Sequence, residues 1–592
     1  MGKVNKDQYK NPLKKRDPRS ESFTQLITGL IIIVLLNVVG SYIFTRFDLT
    51  SEKRYTLSQS TRKLLRETDD IIYFKVYLEG DLPAEFKRLS QSTREMLDEF
   101  RAYSDNIQYQ FINPIASEDA KARKDIQDRL IEQGLTPTDI AVRTKDGQKQ
   151  QSIFPGALVT YKGKTIPVSL LANKLGAAPK DIINNSIQAL EYNLLSAIRK
   201  LSSVNKPKIA FTQGHGEWSK LETADIAIAL SDYYSVEYTD LRGNVNALTE
   251  RAETEPGKFH IKNKFQAIII AGPDSTFNEK DKFIIDQFVM RGGKILWLID
   301  PVFATMDSLQ KTNMTIGVTR DINLNDMLFK YGVRLNSNLL MDLAALPIPM
   351  VTGMVGNQPQ FEFFPWPYFP VLTSTSSHPI VKNINAIRTE FISSIDTVGD
   401  PSVKKTILLK TSKYTKIAQT PVMISLEILG RDPDTKMYSD PPQAVAVLLE
   451  GKFSSVFNNR IPKEISEAPE IGFIAQDEEK NKMIVISDAD IIRNQVQFSQ
   501  GNYTPLPLGY DRHTGQTFGN RELMLNAMNY LCDDSGLMAV RSRELKLRAL
   551  DVNKARENML TWQLINILLP VILVIIFGII QFTLRKRRYT KG

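Results

Sequence analysis

The run from Leu564 to Phe582 constrains this chain more than any other stretch. It carries no charged residue and is followed at once by Arg585, Lys586, Arg587 and Arg588. A bilayer core needs about 20 mostly apolar helical residues, and this run supplies them. Pro570 and Gly578 fit such a helix, because both residue types are commoner in membrane helices than in soluble ones. A second apolar run, Leu26 to Phe44, lies near the other end. A core helix is rarely apolar all round and abutted by a basic cluster, so both runs are read as membrane spans. The expected order is a basic tail over 1–22, a first transmembrane helix over 23–45 and a large body. A charged stalk over 537–560, a second transmembrane helix over 561–584 and a basic tail over 585–592 follow.

Two spans place both termini on one side. The N-terminal tail has seven basic residues against three acidic ones, and the C-terminal tail is basic too. The positive-inside rule then sets both termini in the cytoplasm and the body outside. Arg543, Lys546, Arg548, Lys554 and Arg556 flank the second span on its other side, so that span alone reads either way and the first decides. The first run is longer than a signal-peptide core, and Gly40-Ser41 is only the nearest approach to a cleavage site. It is read as an uncleaved anchor.

The formal charge of +9 would otherwise point to nucleic acid. Residues 1–22 carry +4 and residues 541–592 carry +8, which leaves −3 for 23–540. The basicity belongs to the membrane edges, and no nucleic-acid partner is expected. A single cysteine, Cys532, excludes an internal disulfide, a CxxC pair and a cysteine zinc site. The body must therefore hold itself together by burying apolar surface, which a chain of this length can do.

A first outer domain is expected over 46–203. Ile71 to Leu78 reads as a buried strand, Glu85 to Tyr103 as an amphipathic helix, Ile107 to Ile112 as a strand and Ser117 to Gln133 as a polar helix. Ile140 to Arg143, Ala157 to Tyr161 and Lys164 to Val168 follow as strands, the last two joined by the hairpin signal Lys162-Gly163. A closing helix spans about Ser186 to Leu201. This is the thioredoxin-like order without redox cysteines, so a docking or spacer role is expected.

A second domain is expected over 206–536. Short apolar strands (Lys208 to Thr212, Ala267 to Ala271, Lys294 to Ile299) alternate with amphipathic helices, the pattern of a doubly wound parallel sheet. Thr276 and Glu279 have capping-box spacing before one of those helices. Ligands of such sheets bind beyond the carboxyl ends of the strands. The residues at those ends are Gly214, His215, Gly216, Glu217, Asp274 and Asp300, with Asp488, Asp490, Arg493 and Asn494 after a later strand. All of these but the nearby Arg493 form the candidate ligand-binding set. Turns and helix caps recruit the same residue types, so the pattern also has a purely structural reading. No Gly-x-Ser-x-Gly elbow occurs, and Cys532 lies in a helical stretch, so no catalytic residue is expected. The four histidines, His215, His260, His378 and His513, are scattered without metal-ligand spacing, so no metal or cofactor is expected. Phe361 to Pro370 packs six aromatics and three prolines into ten residues. That composition suits either a recognition surface for a protein or glycan or a loop pinned to its own domain.

With these parts in place, the chain resembles the gliding-motility-associated ABC transporter auxiliary (substrate-binding) proteins of Bacteroidota. The resemblance rests on Arg46 to Thr50 with Thr56-Leu57-Ser58 and on Phe211 to Glu217. Further on it rests on Leu449 to Phe453 with Asn459-Arg460, Asp488 to Ile491, Pro507 to Gly509 and Asn526 to Leu531. It implies a multi-span ABC-2 type permease and a cytoplasmic ATPase as partners, and an amidotransferase-like fold for the second domain. No Gly-x-x-x-x-Gly-Lys-Ser/Thr loop is present, so the chain cannot itself use ATP through that motif. The expectation is a non-enzymatic, membrane-anchored extracytoplasmic subunit that binds substrate or passes movement to envelope partners. The alternative is an envelope hydrolase or glycan-processing enzyme using the 214–217 loop.

Overall fold

The computed structural model describes residues 18–42 and 56–589, apart from 117–118, 145–146, 173–175, 204, 357, 431, 478, 500, 534–535 and 543–551. The tail before residue 18, the Arg46 to Thr50 lead-in and the stalk cations Arg543, Lys546 and Arg548 lie outside the described residues. The chain divides into two compact units, Met1–Thr56 and Leu57–Gly592. The first contains α1 (Pro18–Tyr42). Among the described residues, Leu26–Val38 is its apolar stretch.

The second unit opens with α2 (Gln59–Glu67), capped by Ser58, whose hydroxyl accepts the Thr61 amide at 3.0 Å. The Thr56-Leu57-Ser58 signature thus starts a helix. A mixed sheet follows, built from β1 (Ile72–Val76), β2 (Ile107–Phe111), β3 (Gly156–Tyr161) and β4 (Lys164–Ser169) in the order β2-β1-β3-β4. Only β1 and β2 run parallel. Lys162 and Gly163 both take positive φ, as a two-residue hairpin turn requires. Behind the sheet lie α3 (Ala84–Tyr103) and α4 (Pro179–Ser202). Phe74, Leu97, Phe100, Val159, Leu194 and Ile198 share one core. The closing helix begins earlier than the hydrophobic pattern indicates, because Pro179 is placed at its first turn.

The second lobe is centred on a seven-stranded sheet. Its strands are β5 (Lys208–Gln213), β6 (Ser235–Asp240), β7 (Ala267–Ala271), β8 (Lys294–Leu298), β9 (Lys404–Lys410), β10 (Ala444–Gly451) and β11 (Asn481–Ile486). They stand in the order β9-β10-β11-β8-β7-β5-β6. From β11 to β6 every pairing is parallel, while β9 and β10 add an antiparallel flank that periodicity alone does not distinguish. Alternate residues feed two cores. Ile269, Phe211 and Leu296 face one, with α5 (Ala224–Ser231); Ile268, Ala210 and Trp297 face the other, with α6 (Glu279–Met290). Burial on both faces explains why these strands are apolar runs rather than alternating ones. The cap of α6 is Asn278, whose side chain accepts the Asp281 amide at 2.9 Å. Thr276 is diverted to the Asp321 carbonyl, which removes it from the capping role expected of it. The first core is closed by α7 (Asn520–Cys532).

Between β8 and β9 the chain makes several small sheets and one long hairpin, Ala345–Val355 with Gln358–Leu372. The aromatic-proline run lies in this hairpin and divides into two parts. Trp366, Tyr368 and Phe369 are buried in a core with Leu346 and Ile348, whereas Phe361 and Phe363 are exposed. Its prolines are accommodated where the ladder shifts register, between Ala345 and Pro347.

After α7 the chain enters α8 (Leu537–Ser542), which opens the segment expected as a stalk. Leu537, Met538 and Val540 are instead buried against Tyr192 and Leu195 of α4, because three of these four consecutive residues are large and apolar. Arg541 donates to Glu522 Oε1 of α7 at 2.8 Å and to the Lys382 carbonyl at 2.9 Å, under the Tyr192 ring. This short helix therefore ties the first lobe to the second. Beyond it is α9 (Met559–Tyr589). Among the described residues it is the one helix long and apolar enough to cross a membrane, by length and composition.

The hairpin supplies a direct test of packing. Trp366→Ala is expected to cost about 3–5 kcal/mol in denaturant unfolding, and Phe361→Ala to change stability by less than about 0.5 kcal/mol.

Candidate functional site

The loop after β5 depends on two glycines. Gly214 has φ +120° and Gly216 φ +77°. A Cβ on Gly216 would lie 1.7 Å from Asp274 Oδ1, so only glycine lets this loop meet the one after β7. There the His215 carbonyl accepts the amides of Asp274 at 2.9 Å and Ser275 at 3.0 Å. The His215 side chain is turned inward and the residue is only 4% exposed. Its ring stacks on Phe277 with centroids 3.7 Å apart. Nε2 is 3.0 Å from Asp281 Oδ2, and Nδ1 faces Glu217 Oε1 at 3.8 Å, a charge contact rather than a hydrogen bond. Glu217 also accepts the His215 amide at 2.7 Å and the Thr212 hydroxyl at 3.1 Å. Burial alone would lower the His215 pKa, but Glu217 and Asp281 outweigh it and hold the imidazole above its ordinary value. Burial would raise Glu217, and the contacts with His215 outweigh it in turn. Asp281 further accepts the Gly243 amide and the Asn278 side chain. The Phe211 to Glu217 motif is thus a latch joining β5, the loop after β6 and the start of α6.

A cleft lies beyond the latch, at the ends of β8 and β11. Trp218 forms the bridge to it. Its Nε1 donates to the Ala489 carbonyl at 2.9 Å, and the Arg493 guanidinium stands 4.1 Å from its ring centroid. Asp300 accepts the Ala489 amide at 2.7 Å. Asp488 is fully buried and accepts the amides of Asp490 at 2.8 Å and Glu390 at 3.2 Å. Arg493 pairs with Glu222 at 2.8 Å and Asp490 at 3.3 Å. A cavity of about 380 Å³ opens here, lined among others by Asp300, Asp490, Arg320, Arg388 and Glu390, with Phe369 and Phe391 as an apolar wall. A neighbouring cavity of about 430 Å³ shares Arg388, Glu390, Asp490, Arg493 and Arg512.

Burial pushes the Asp300, Asp488 and Asp490 carboxyls up, and their mutual proximity pushes Asp488 further. Asp490 is raised to about 8, by burial first and then by Glu390 and Asp300, against the opposing pull of Arg493. The cleft therefore places Asp300 and Asp490, carboxyls held above their ordinary pKa, beside guanidinium groups, a lining that hydrogen-bonds polar or charged solutes.

The expected site residues fall into two groups. Asp300 and Asp490 line the cleft, and Asp488, fully buried, braces it through the Asp490 and Glu390 amides. Gly214, His215, Gly216, Glu217 and Asp274 belong to the latch. Asn494 stands at the cleft rim as a brace, donating to the Leu221 carbonyl at 3.1 Å and accepting the Asp225 amide at 3.2 Å. Sequence reasoning missed Arg320, Arg388, Glu390 and Arg512, which come from stretches without helical or strand periodicity. Trp218 stood next to the motif, and only its exposed edge beside a charged cleft marks it.

Residues 206–527, more than half of the chain, match the family described as an "ABC-type uncharacterized transport system". Residues 51–160 match a domain of unknown function. An "Uncharacterized protein" of Borreliella burgdorferi is 21% identical over 574 residues, spanning 95% of this chain and 98% of that protein. Among solved structures, the chain titled "mmIFT52 N-terminal domain" aligns with a TM-score of 0.30 and 11% identity, covering 55% of this chain and 98% of that one. A likeness at that score carries no argument.

Two outcomes follow from the geometry. His215→Ala strands Glu217 and Asp281 without their buried partner, with an expected loss of about 3 kcal/mol in chemical denaturation. The folded Asp490 carboxyl keeps its proton up to about pH 8, against an ordinary value of 3.8. The folded state therefore binds more protons across that window, and stability falls as pH rises through it. Melting curves between pH 4 and 8 are expected to show that decline in the native chain and a shallower one in Asp490→Asn.

Proposed function

The chain belongs to the family described as an ABC-type uncharacterized transport system, and from that premise we propose that it is a non-enzymatic, membrane-anchored auxiliary subunit of an ABC transporter. In this reading a separate cytoplasmic ATPase supplies energy and a multi-span ABC-2 type permease supplies the path. Both apolar runs, 23–45 and 561–584, serve as spans, with both termini cytoplasmic and the body over 46–536 periplasmic at the inner membrane. A thioredoxin-like first domain and a doubly wound, amidotransferase-like second domain make up that body. The cleft around Asp300, Asp488 and Asp490 receives a transported solute or an envelope protein or glycan. The transporter serves gliding motility or secretion to the cell surface.

The observation that carries the reading is the position of α8. It is wedged between the lobes, and the chain runs on from it to α9, so in this reading movement of α9 is delivered to the body at a point packed on both lobes. A freely diffusing binding protein has no use for that arrangement. The latch speaks against the hydrolase alternative, because an imidazole buried between two carboxylates cannot reach a substrate without opening the fold.

Gentle detergent extraction of the full chain, followed by mass spectrometry of its companions, tests the assignment. An ABC ATPase and a multi-span permease are expected in fixed proportion. A chain that emerges alone, or with cell-wall enzymes, contradicts it. A protease site placed within 543–551 tests the coupling: cleavage is expected to abolish transport-linked function while both lobes stay folded, and retained function removes it.

A further inference from the structure

The cleft at the ends of β8 and β11 keeps charges of both signs without a partner. We propose that its ligand is a zwitterion of the α-amino acid class, a free amino acid or a short peptide with an apolar side chain. Two ion pairs in the lining are closed, Arg388 with Glu390 and Arg493 with Asp490. Asp511 is bound to the amide and hydroxyl of Thr514, and Asp307 is exposed. Asp300, Arg320 and Arg512 also line the cavity, and none of the three is in an ion pair among the described residues. They differ in sign, so the unmatched charge is one carboxyl against two guanidiniums.

Asp300 spends Oδ1 on the Ala489 amide at 2.7 Å, which leaves Oδ2 for a ligand. Arg320 reaches the Pro273 carbonyl only at 3.4 Å and stands over the Phe303 ring. Its charge acts on the Asp300 carboxyl without an ion pair forming, so the two are near enough to influence each other and too far apart to bond. A ligand with an ammonium at one end and a carboxylate at the other meets both. Burial denies Asp300 a counter-charge, and the ammonium supplies one. Guanidinium and carboxylate form charge-assisted bonds, often in pairs. Leu346, Ile348 and Met350, with Phe369 and Phe391, make an apolar part of the same lining and suit a hydrocarbon side chain.

The other ligand classes fit less well. An anion leaves Asp300 uncompensated, a cation leaves Arg320 and Arg512, and a neutral solute leaves all three. A cavity of about 380 Å³ lies at the small end of ligand pockets, which run from about 300 to 1,000 Å³. Pro347 and Pro349 line it from the edge strand Ala345–Val355, and neither has an N–H to donate. An extended chain therefore finds no strand pairing at those positions, which favours a ligand of one or a few residues. This inference rests on the reading of the cleft as a solute site and names the class of solute.

Calorimetric titration of the full chain in phosphatidylcholine nanodiscs tests it. L-leucine represents the free amino acid and L-leucylglycine the peptide, while N-acetyl-L-leucine and L-leucinamide each lack one charge. Leucine or leucylglycine is expected to bind, and whichever binds more tightly identifies the source. Each single-charge probe is expected to bind about tenfold more weakly or worse. Asp300→Asn is expected to remove the preference over N-acetyl-L-leucine, and Arg320→Gln the preference over L-leucinamide. Arg512→Gln, at an exposed residue, replaces Arg320→Gln if that variant melts early. No binding of leucine or leucylglycine overturns the inference, as do equal affinities for the single-charge probes or preferences that the variants leave unchanged. A chain extracted with its ATPase and permease that binds neither ligand overturns this inference and leaves the transporter assignment standing. A chain that emerges alone and binds leucine does the reverse.

Discussion

The burial of the Arg541 guanidinium is the constraint on which the arrangement of the large unit depends. A charge taken out of water is tolerated only when its partners are fixed, and here they come from different elements. Glu522 and Asn526 stand on α7, the Lys382 carbonyl on a loop of the second lobe, and the Tyr192 ring on α4 of the first. Leu537, Met538 and Val540 bury the adjoining surface, so the ion pair is set inside an apolar seam rather than in solvent. Loss of register at α8 would leave a stranded charge as well as exposed hydrophobic surface. The two penalties act together.

The latch uses the same physics at smaller scale. His215 is held between Glu217 and Asp281, and its backbone carbonyl fixes the loop after β7. That rigid corner sets the position of Trp218, whose indole reaches Ala489 and so joins the latch to the acid-lined cleft. The conspicuous motif is packed into the fold, and the polar cavity beside it begins one residue further on, at Trp218. A motif can be specific to a family because it shapes a site, without itself touching a ligand.

Much of the fold was legible because burial leaves a period. The strands β5, β7, β8 and β11 are apolar runs bounded by turn residues, and Lys162-Gly163 announces its hairpin. The reversed direction of β9 and β10 is not legible, since a strand buried on both faces looks alike in either direction. The positions of Asp300, Asp488 and Asp490 are legible because strand ends can be located from sequence. Arg320, Arg388 and Arg512 were not, because long-range packing brings them to the cleft from segments with no pattern. The start of the expected stalk was misjudged for a related reason. Arg541 reads as one of many basic residues before a membrane helix, and only the fold shows that it faces Glu522 and Tyr192.

The most direct test of the account is amide hydrogen exchange on the full chain in nanodiscs, comparing the native sequence with Arg541→Ala. If α8 is what binds the lobes, exchange quickens at 192–198 of α4 and 523–532 of α7, while the amides of β7 and β8 keep their protection. Unchanged exchange in both helices, or a uniform loss of protection through the sheet, would contradict it.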